Sequence, residues 1–218
     1  MFVHCPPIEL LELNTENING RRHYVTPDGK YPSITTVLGS FPKPELNEWR
    51  KQVGESEANR ISKLSADRGT KFHSILEKYL NNEEIDRKEF MPDTLASFNS
   101  VKPIIHNINN IHKLEVPLYS NRLKVAGRCD AVAEYNGILS IIDYKTSKRE
   151  KEEYQIIDYF LQATFYGLCY AELTNIVTQQ IVILIAVEDG PPQVFIKNIM
   201  DYVKPLVNKI NEYKILYN

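Results

Sequence analysis

The residues best suited to chemistry lie in one segment, 125–151, which reads VAGRCDAVAEYNGILSIIDYKTSKREK. Asn136-Gly137 between two apolar runs is the mark of a two-residue β-hairpin. With a type I′ turn there, Tyr135 faces Ile138, Glu134 faces Leu139, and the sixth pair outward is Asp130 with Asp143. That pair falls on a non-hydrogen-bonded position, where facing side chains come closest, with Cβ atoms about 4.5–5.5 Å apart. Two facing carboxylates repel. Ala131, Val132, Ile141 and Ile142 beside them predict burial on both faces, which deepens the cost. A divalent cation between the carboxylates would offset it. Lys145 follows Asp143 by two residues and so shares its face of the strand. Its ammonium would orient a water or offset charge growing on a phosphate. Asp…Asp-x-Lys is thus an arrangement for cutting phosphodiesters. The plainer alternative places each aspartate at a strand end with a structural Arg or Lys partner. An Asp-x-Lys alone arises by chance, but the facing aspartate across an Asn-Gly turn favours the metal site.

Other residues could complete such a site. His73 lies in ADRGTKFHSILEKYL with Glu77 one helical turn on, so the two share a helix face. The imidazole is either a ligand or a satisfied core group. Arg68, Gly69, Thr70 and Lys71 precede it, a basic, glycine-containing stretch suited to phosphate. Gln155, Tyr159, Gln162 and Tyr166 form a row on a later helix. They would contact a nucleic-acid backbone or stack on bases, or the tyrosine hydroxyls simply reach solvent. Glu115 is a further ligand, a support for one, or a solvated strand-edge residue. Arg128, Thr146, Ser147 and Lys148 flank the aspartates and the lysine in sequence. They are candidates for touching DNA or buttressing the ligands. Trp49, beside Arg50 and Lys51, reads as a partly buried tryptophan rather than a nucleic-acid contact.

These side chains need a scaffold. Residues 1–30 read as irregular, with turns at Asn19-Gly20 and Pro27-Asp28-Gly29. YPSITTVLGSF (31–41) starts extended and leads into a short helix capped by Ser33, Thr35 or Thr36. Residues 45–81 read mostly as helix, with Ile61, Leu64, Phe72, Ile75, Leu76, Tyr79 and Leu80 as its apolar stripe, Gly69 interrupting it and Asn81-Asn82 ending it. Residues 93–111 predict a helix broken near Pro103. Strands follow at 114–120, 124–135 and 138–146, then a helix at 152–173, strands at 179–187 and 193–199, and an amphipathic helix at 200–216. The pattern is α/β, expected as one domain over 1–218: an N-terminal extension (1–56), a core (about 57–199) and a C-terminal helix.

Composition narrows the classes. Of 218 residues, 43% are hydrophobic and 25% charged, which excludes a disordered, collagenous or coiled-coil chain. No apolar run is long enough to span a membrane. No signal or transit peptide is visible, so a cytoplasmic monomer is expected. Three scattered cysteines form no zinc or disulfide pattern. The net charge of −2 conceals an uneven spread. Residues 43–71 carry a net +2 and 121–151 a net +3, against −7 for the remainder. The basic excess thus falls on the segments that carry the chemistry, which predicts a local basic groove on an acidic body.

GRCDAVAEYNGILSIIDYKTSK resembles motifs II and III of the PD-(D/E)xK nuclease superfamily, in its RecB-type exonuclease branch. RGTKFHSILE resembles that branch's helical His motif, and Gln162-Ala-Thr-Phe-Tyr166 its Gln-x-x-x-Tyr motif. YPSITTVL is similar to the opening of the mitochondrial genome maintenance exonucleases and their phage and bacterial relatives. The matches run in the family's order from about residue 31 to 190. The resemblance implies an αβββαβ restriction-endonuclease-like core, a mixed central sheet flanked by helices, with helical additions at both ends. It implies a metal-dependent DNA exonuclease favouring single-stranded ends, and oxygen ligands with an optional imidazole favour Mg²⁺ or Mn²⁺ over zinc. Asp130 and Asp143 would be metal ligands and Lys145 the catalytic lysine. His73 and the backbone carbonyl of Tyr144 would also meet the metal, while Gln162 and Tyr166 shape the site and hold DNA. The four-cysteine set of the iron–sulfur members is absent. A non-catalytic nucleic-acid-binding module and a structure-specific endonuclease are the alternatives.

Overall fold

The computed structural model describes residues 1–217. Five strands form the central sheet: β4 (Ile108–Ser120), β5 (Val125–Tyr135), β6 (Ile138–Ser147), β7 (Gln180–Val187) and β8 (Gln193–Asn198), in the order β4-β5-β6-β7-β8. All neighbours are antiparallel except β6 and β7. That parallel pair needs a crossover, which α5 (Ile157–Thr174) supplies after a short 3₁₀ turn. Helices α3 (Glu55–Leu80) and α4 (Pro92–Ile105) pack with Ile142, Tyr144, Val182 and Leu184 on one face. Helices α1 (Ile34–Gly39), α5 and α6 (Met200–Tyr217) pack with Ile141, Ile181, Ile183 and Ile185 on the other. Consecutive residues of β6 and β7 therefore serve opposite cores, so these strands read as continuous apolar runs. This is the mixed α/β sheet with flanking helices expected of a restriction-endonuclease-like fold. Among the described residues no helix is long and apolar enough to cross a membrane.

The Asn136-Gly137 turn forms with φ of 52° and 78°, as type I′ requires. Five pairs follow the expected register, out to Ala131↔Ile142. The ladder then stops, so Asp130 and Asp143 do not form the sixth pair. The side-chain alternation of β5 slips at this point. Val125, Cys129 and Val132 face the α5 side, whereas Ala131, Ala133 and Tyr135 face α3 and α4. An irregularity on the neighbouring strand matches it. Leu114↔Ala131 and Val116↔Cys129 pair, but Glu115 and Asp130 between them do not, and Glu115 has φ 46°.

The N-terminal region departs from the sequence reading. Residues 1–30 are not irregular, and the N-terminal addition is not purely helical. The strands β1 (Thr15–Ile18), β2 (Arg21–Thr26) and β3 (Gly29–Pro32) form an antiparallel meander. The two turn signals are its hairpins. Its strands are short and polar, so they lack the apolar alternation that announces a strand. Ser33 caps α1, its Oγ accepting from Thr36 N at 3.0 Å. The 45–81 helix is two, α2 (Pro44–Val53) and α3, broken at Gly54 rather than at Gly69. Leu64 is exposed because α3 buries nothing between Ala58 and Phe72. Ile215 is likewise exposed on α6. Helix α4 ends at Ile105, and residues 108–111 join β4 instead, including Ile108 and Ile111, which fill the α3–α4 core.

Gly127 on β5 shows how tightly α5 sits on the sheet. A Cβ there would lie 2.8 Å from Tyr166 Cε1 and 3.1 Å from Ile34 Cγ2. Gly127→Ala is expected to destabilise the protein by about 1–3 kcal/mol through overpacking. Urea denaturation measures it, and an unchanged midpoint would show that Tyr166 moves freely.

Candidate active site

A cleft of about 800 Å³ opens where α3, β4, β5, β6, α5 and the N-terminal meander meet. The chain reaches its floor through the paired break in β4 and β5. A residue in the left-handed region with a branched or long side chain is strained by about 1–3 kcal/mol. The strain at Glu115 is met locally, because the Arg128 guanidinium donates to the Glu115 carbonyl. The result turns the Glu115 and Asp130 side chains toward His73. Nδ1 of His73 lies 3.5 Å from Asp130 Oδ1 and 3.6 Å from Glu115 Oε1. One ligand atom from each of the three falls within 4.8 Å of the others.

The remaining contacts orient this trio. His73 Nε2 donates to the Tyr144 carbonyl at 2.8 Å, leaving Nδ1 turned toward the carboxylates. A hydrogen bond of this kind fixes which ring nitrogen can bind a metal. Tyr144 N donates to Asp130 Oδ2 at 2.8 Å. The backbone of Tyr144 thus holds both His73 and Asp130, and its carbonyl already accepts from the imidazole. Asp143, next along β6, is 1% exposed. It pairs with Lys145, yet neither of its oxygens has an aligned hydrogen bond. Lys145 Nζ also lies 5.1 Å from the Tyr159 ring centroid, a cation–π contact.

The electrostatics show how close these groups are. Burial, countered by Lys145 and aggravated by Asp130, raises the Asp143 pKa to about 6. Burial also raises that of Asp130, against the pull of His73 and Lys145. For His73 burial opposes the charge, but Asp130 and Glu115 prevail and lift it to about 9. Lys145 is likewise opposed by burial but held charged by Asp143 and Asp130, with its pKa raised. It therefore acts as a fixed cation rather than as a base. With His73 protonated, three carboxylates face two cations, and once Nδ1 gives up its proton to a metal they face one ammonium. Orphaned buried carboxylate oxygens, a surplus of negative charge, and an imidazole with oxygen donors all fit a hard divalent cation.

Not every residue singled out from the sequence reaches the cleft. Thr70, Glu77, Glu115, Arg128, Gln162 and Tyr166 line it. Gln162 Nε2 donates to the Tyr166 hydroxyl at 3.1 Å, but the Tyr166 ring is 2% exposed and packed on Gly127, so it cannot stack on a base. Gln155 is drawn into a capping box with Glu152. Arg68, Thr146, Ser147 and Lys148 are not part of the lining. Arg68 is paired with Glu188, and the Ser147 hydroxyl donates to the Arg149 carbonyl. Trp49 is half-buried on α2. Sequence reasoning missed the opposite wall, because Thr15, Arg22 and Tyr24 lie on the unrecognised meander, with Asn14 just before it and Thr35 on the α1 that it leads into. Its two turn signals were the available clue.

The sequence is similar to known proteins over part of its length. The sequence model of the PD-(D/E)XK nuclease superfamily matches residues 87–196, just over half of the chain and inclusive of Asp130, Asp143, Lys145, Gln162 and Tyr166. The chain belongs to that superfamily. Mitochondrial genome maintenance exonuclease 1 of Homo sapiens is 31% identical over 144 residues, 62% of this chain and 40% of that protein. The Mus musculus protein of the same name is 31% identical over 129 residues, 55% of this chain and 38% of that one. The chain thus spans about 40% of the length of the curated relatives it matches. The crystal structure of SSO0001 aligns over 80% of this chain and 72% of that one, at 17% identity and a TM-score of 0.44.

A bound cation is expected to stabilise the fold. At a hundredfold excess over its Kd, Mn²⁺ or Mg²⁺ should add about 2.7 kcal/mol, and Asp130→Asn should remove most of that gain. Thermal melting with and without EDTA reads both values; a wild-type midpoint indifferent to the cation would rule the metal site out.

Proposed function

We propose that this protein is an Mg²⁺- or Mn²⁺-dependent DNA exonuclease that prefers single-stranded ends. The observation that carries the reading is the convergence of His73, Glu115, Asp130 and Lys145 in one cleft, with Asp143 buried against Lys145. In this reading His73, Glu115, Asp130 and Asp143 hold the cation, with the Tyr144 carbonyl beside them. When bound, the cation supplies Lewis-acid polarisation of the scissile phosphate and a more acidic attacking water. The chain's own groups do the rest. Lys145, charged and half-enclosed by Asp143 and Tyr159, offsets the charge that develops on the phosphate. Tyr144 keeps His73 and Asp130 in place through its N–H and carbonyl. Gln162 and Tyr166 brace the wall behind them, and Arg128 holds the backbone of Glu115.

The exonuclease direction of the reading is supported by the names of the relatives, mitochondrial genome maintenance exonuclease 1. The non-catalytic alternative is disfavoured because none of the aspartates or the lysine is missing.

The test uses end-labelled single- and double-stranded DNA and RNA, with Mg²⁺, Mn²⁺ or EDTA. Cleavage should need the cation, favour single-stranded DNA, and spare circles. Asp130→Asn, Asp143→Asn and Lys145→Ala should each lower the rate by at least about 10²–10³-fold while the fold is kept. Activity in EDTA, or an active Asp143→Asn protein, would sink the mechanism; rapid cleavage of circles would make it an endonuclease.

A further inference from the structure

Arg22 stands on β2, in the wall of the same cleft, outside both the matched family segment and the two basic stretches of the sequence. Its surroundings are those of a prepared anion site. Nη2 donates to Thr35 Oγ1 at 2.9 Å. The Arg22 carbonyl accepts from Ser33 N at 2.9 Å and from Thr36 Oγ1 at 3.4 Å. Ser33 Oγ in turn lies 3.0 Å from Thr35 Oγ1 and 2.8 Å from Thr36 Oγ1. The Ser-Ile-Thr-Thr run therefore grips Arg22 by backbone and side chain at once. Tyr24, two residues on and on the same side of the strand, packs under it, with the Arg22 guanidinium 5.9 Å from its ring centroid.

The other cations of the cleft are already engaged. Lys145 is paired with Asp143, and Arg128 reaches the Glu115 carbonyl and, at 3.3 Å, Glu12. Among the described residues no carboxylate lies within ion-pair distance of Arg22. Arg22 and Tyr24 line the same cleft as Glu115, Arg128, Asp130 and Lys145, so Arg22 flanks the proposed catalytic group without belonging to it. A guanidinium has five donors in a planar fork that matches two phosphate oxygens. With one donor spent on Thr35, four remain on an exposed side chain in the wall of a cleft that is acidic at its floor.

We propose that Arg22, oriented by the Ser33–Thr36 cap, holds a backbone phosphate of the nucleic-acid strand next to the scissile one and so sets where the strand lies in the cleft. The proposal rests on the nuclease reading and assigns its substrate grip. Arg22 is a positioning residue: it touches the substrate backbone away from the reacting atoms, and its loss should show in binding before it shows in chemistry.

The experiment measures binding of a fluorescent oligothymidylate in the Lys145→Ala background with Mg²⁺, across a salt series. Arg22→Gln should weaken binding about tenfold, as losing a charged hydrogen-bonded contact does, and make the slope of log K against log salt shallower by about 0.7. Arg22→Lys should keep the slope but regain only part of the affinity, and Thr35→Val should weaken binding with the slope unchanged. In the cleaving enzyme, Arg22→Gln should raise KM more than it lowers kcat. A substrate with a neutral methylphosphonate at the neighbouring phosphate should reproduce the loss in wild type and add nothing to Arg22→Gln. Thermal melting of each variant with its parent separates this from unfolding. An Arg22→Gln protein with the parent's affinity and slope overturns the grip while leaving the nuclease reading intact. A parent protein that melts cooperatively yet binds no strand at any salt overturns both.

Discussion

Everything about this molecule turns on carboxylates held out of water beside one another. Asp143 and Asp130 are almost fully buried, and an isolated buried carboxylate costs several kcal/mol. The fold answers that cost piecemeal. Lys145 pairs with Asp143, the Tyr144 N–H serves Asp130, and His73 takes a proton between Asp130 and Glu115. None of these closes the account for Asp143, whose oxygens lack aligned donors. In the proposed function a cation held by the neighbouring carboxylates would answer that remaining cost.

The sheet bends for this purpose. Regular β4–β5 pairing would set Glu115 and Asp130 into the ladder. The left-handed Glu115 and the slipped alternation of β5 instead free both side chains on one side. Arg128, on β5 itself, secures the deformed strand. The close approach of Tyr166 to Gly127 then fixes α5 against the bend, so that Gln162, Tyr166 and Tyr159 back the site from one rigid helix. Strain and tight packing are neighbours here because the first survives only where the second leaves no relaxed alternative.

The N-terminal meander gives the cleft its far wall. It is fastened to the core by Leu13, Tyr24 and Tyr31 around Ala126, and by the Ser33–Ala126 bridge. The floor of the cleft is acidic and the wall is cationic, and a polyanion in contact with both a bound cation and a guanidinium would be held along its length. The basic excess of segments 43–71 and 121–151 contributes less than its sum suggests, because Lys43, Arg50, Arg60, Arg68, Arg128 and Lys145 all have carboxylate partners.

The hairpin around Asn136-Gly137 and the apolar double-faced strands were legible in the sequence. Turn residues demand a particular backbone, and burial on both faces demands continuous apolar runs. The placement of Asp130, Asp143 and Lys145 on adjoining strands followed from that local arithmetic. So did the ends of α5 and α6 to within a few residues. The tertiary structure alone decided the rest. The unpaired Asp130 and the left-handed Glu115 arise from packing on two sides at once, which no local pattern encodes, and the expected Asp130–Asp143 pair does not form. The recruitment of Glu115 from an apparent strand edge, the diversion of Arg68 to Glu188, and the meander that carries Arg22 depend on contacts between residues dozens of positions apart. Sequence spacing specifies which groups a strand or helix presents; only the assembled core determines which of them meet.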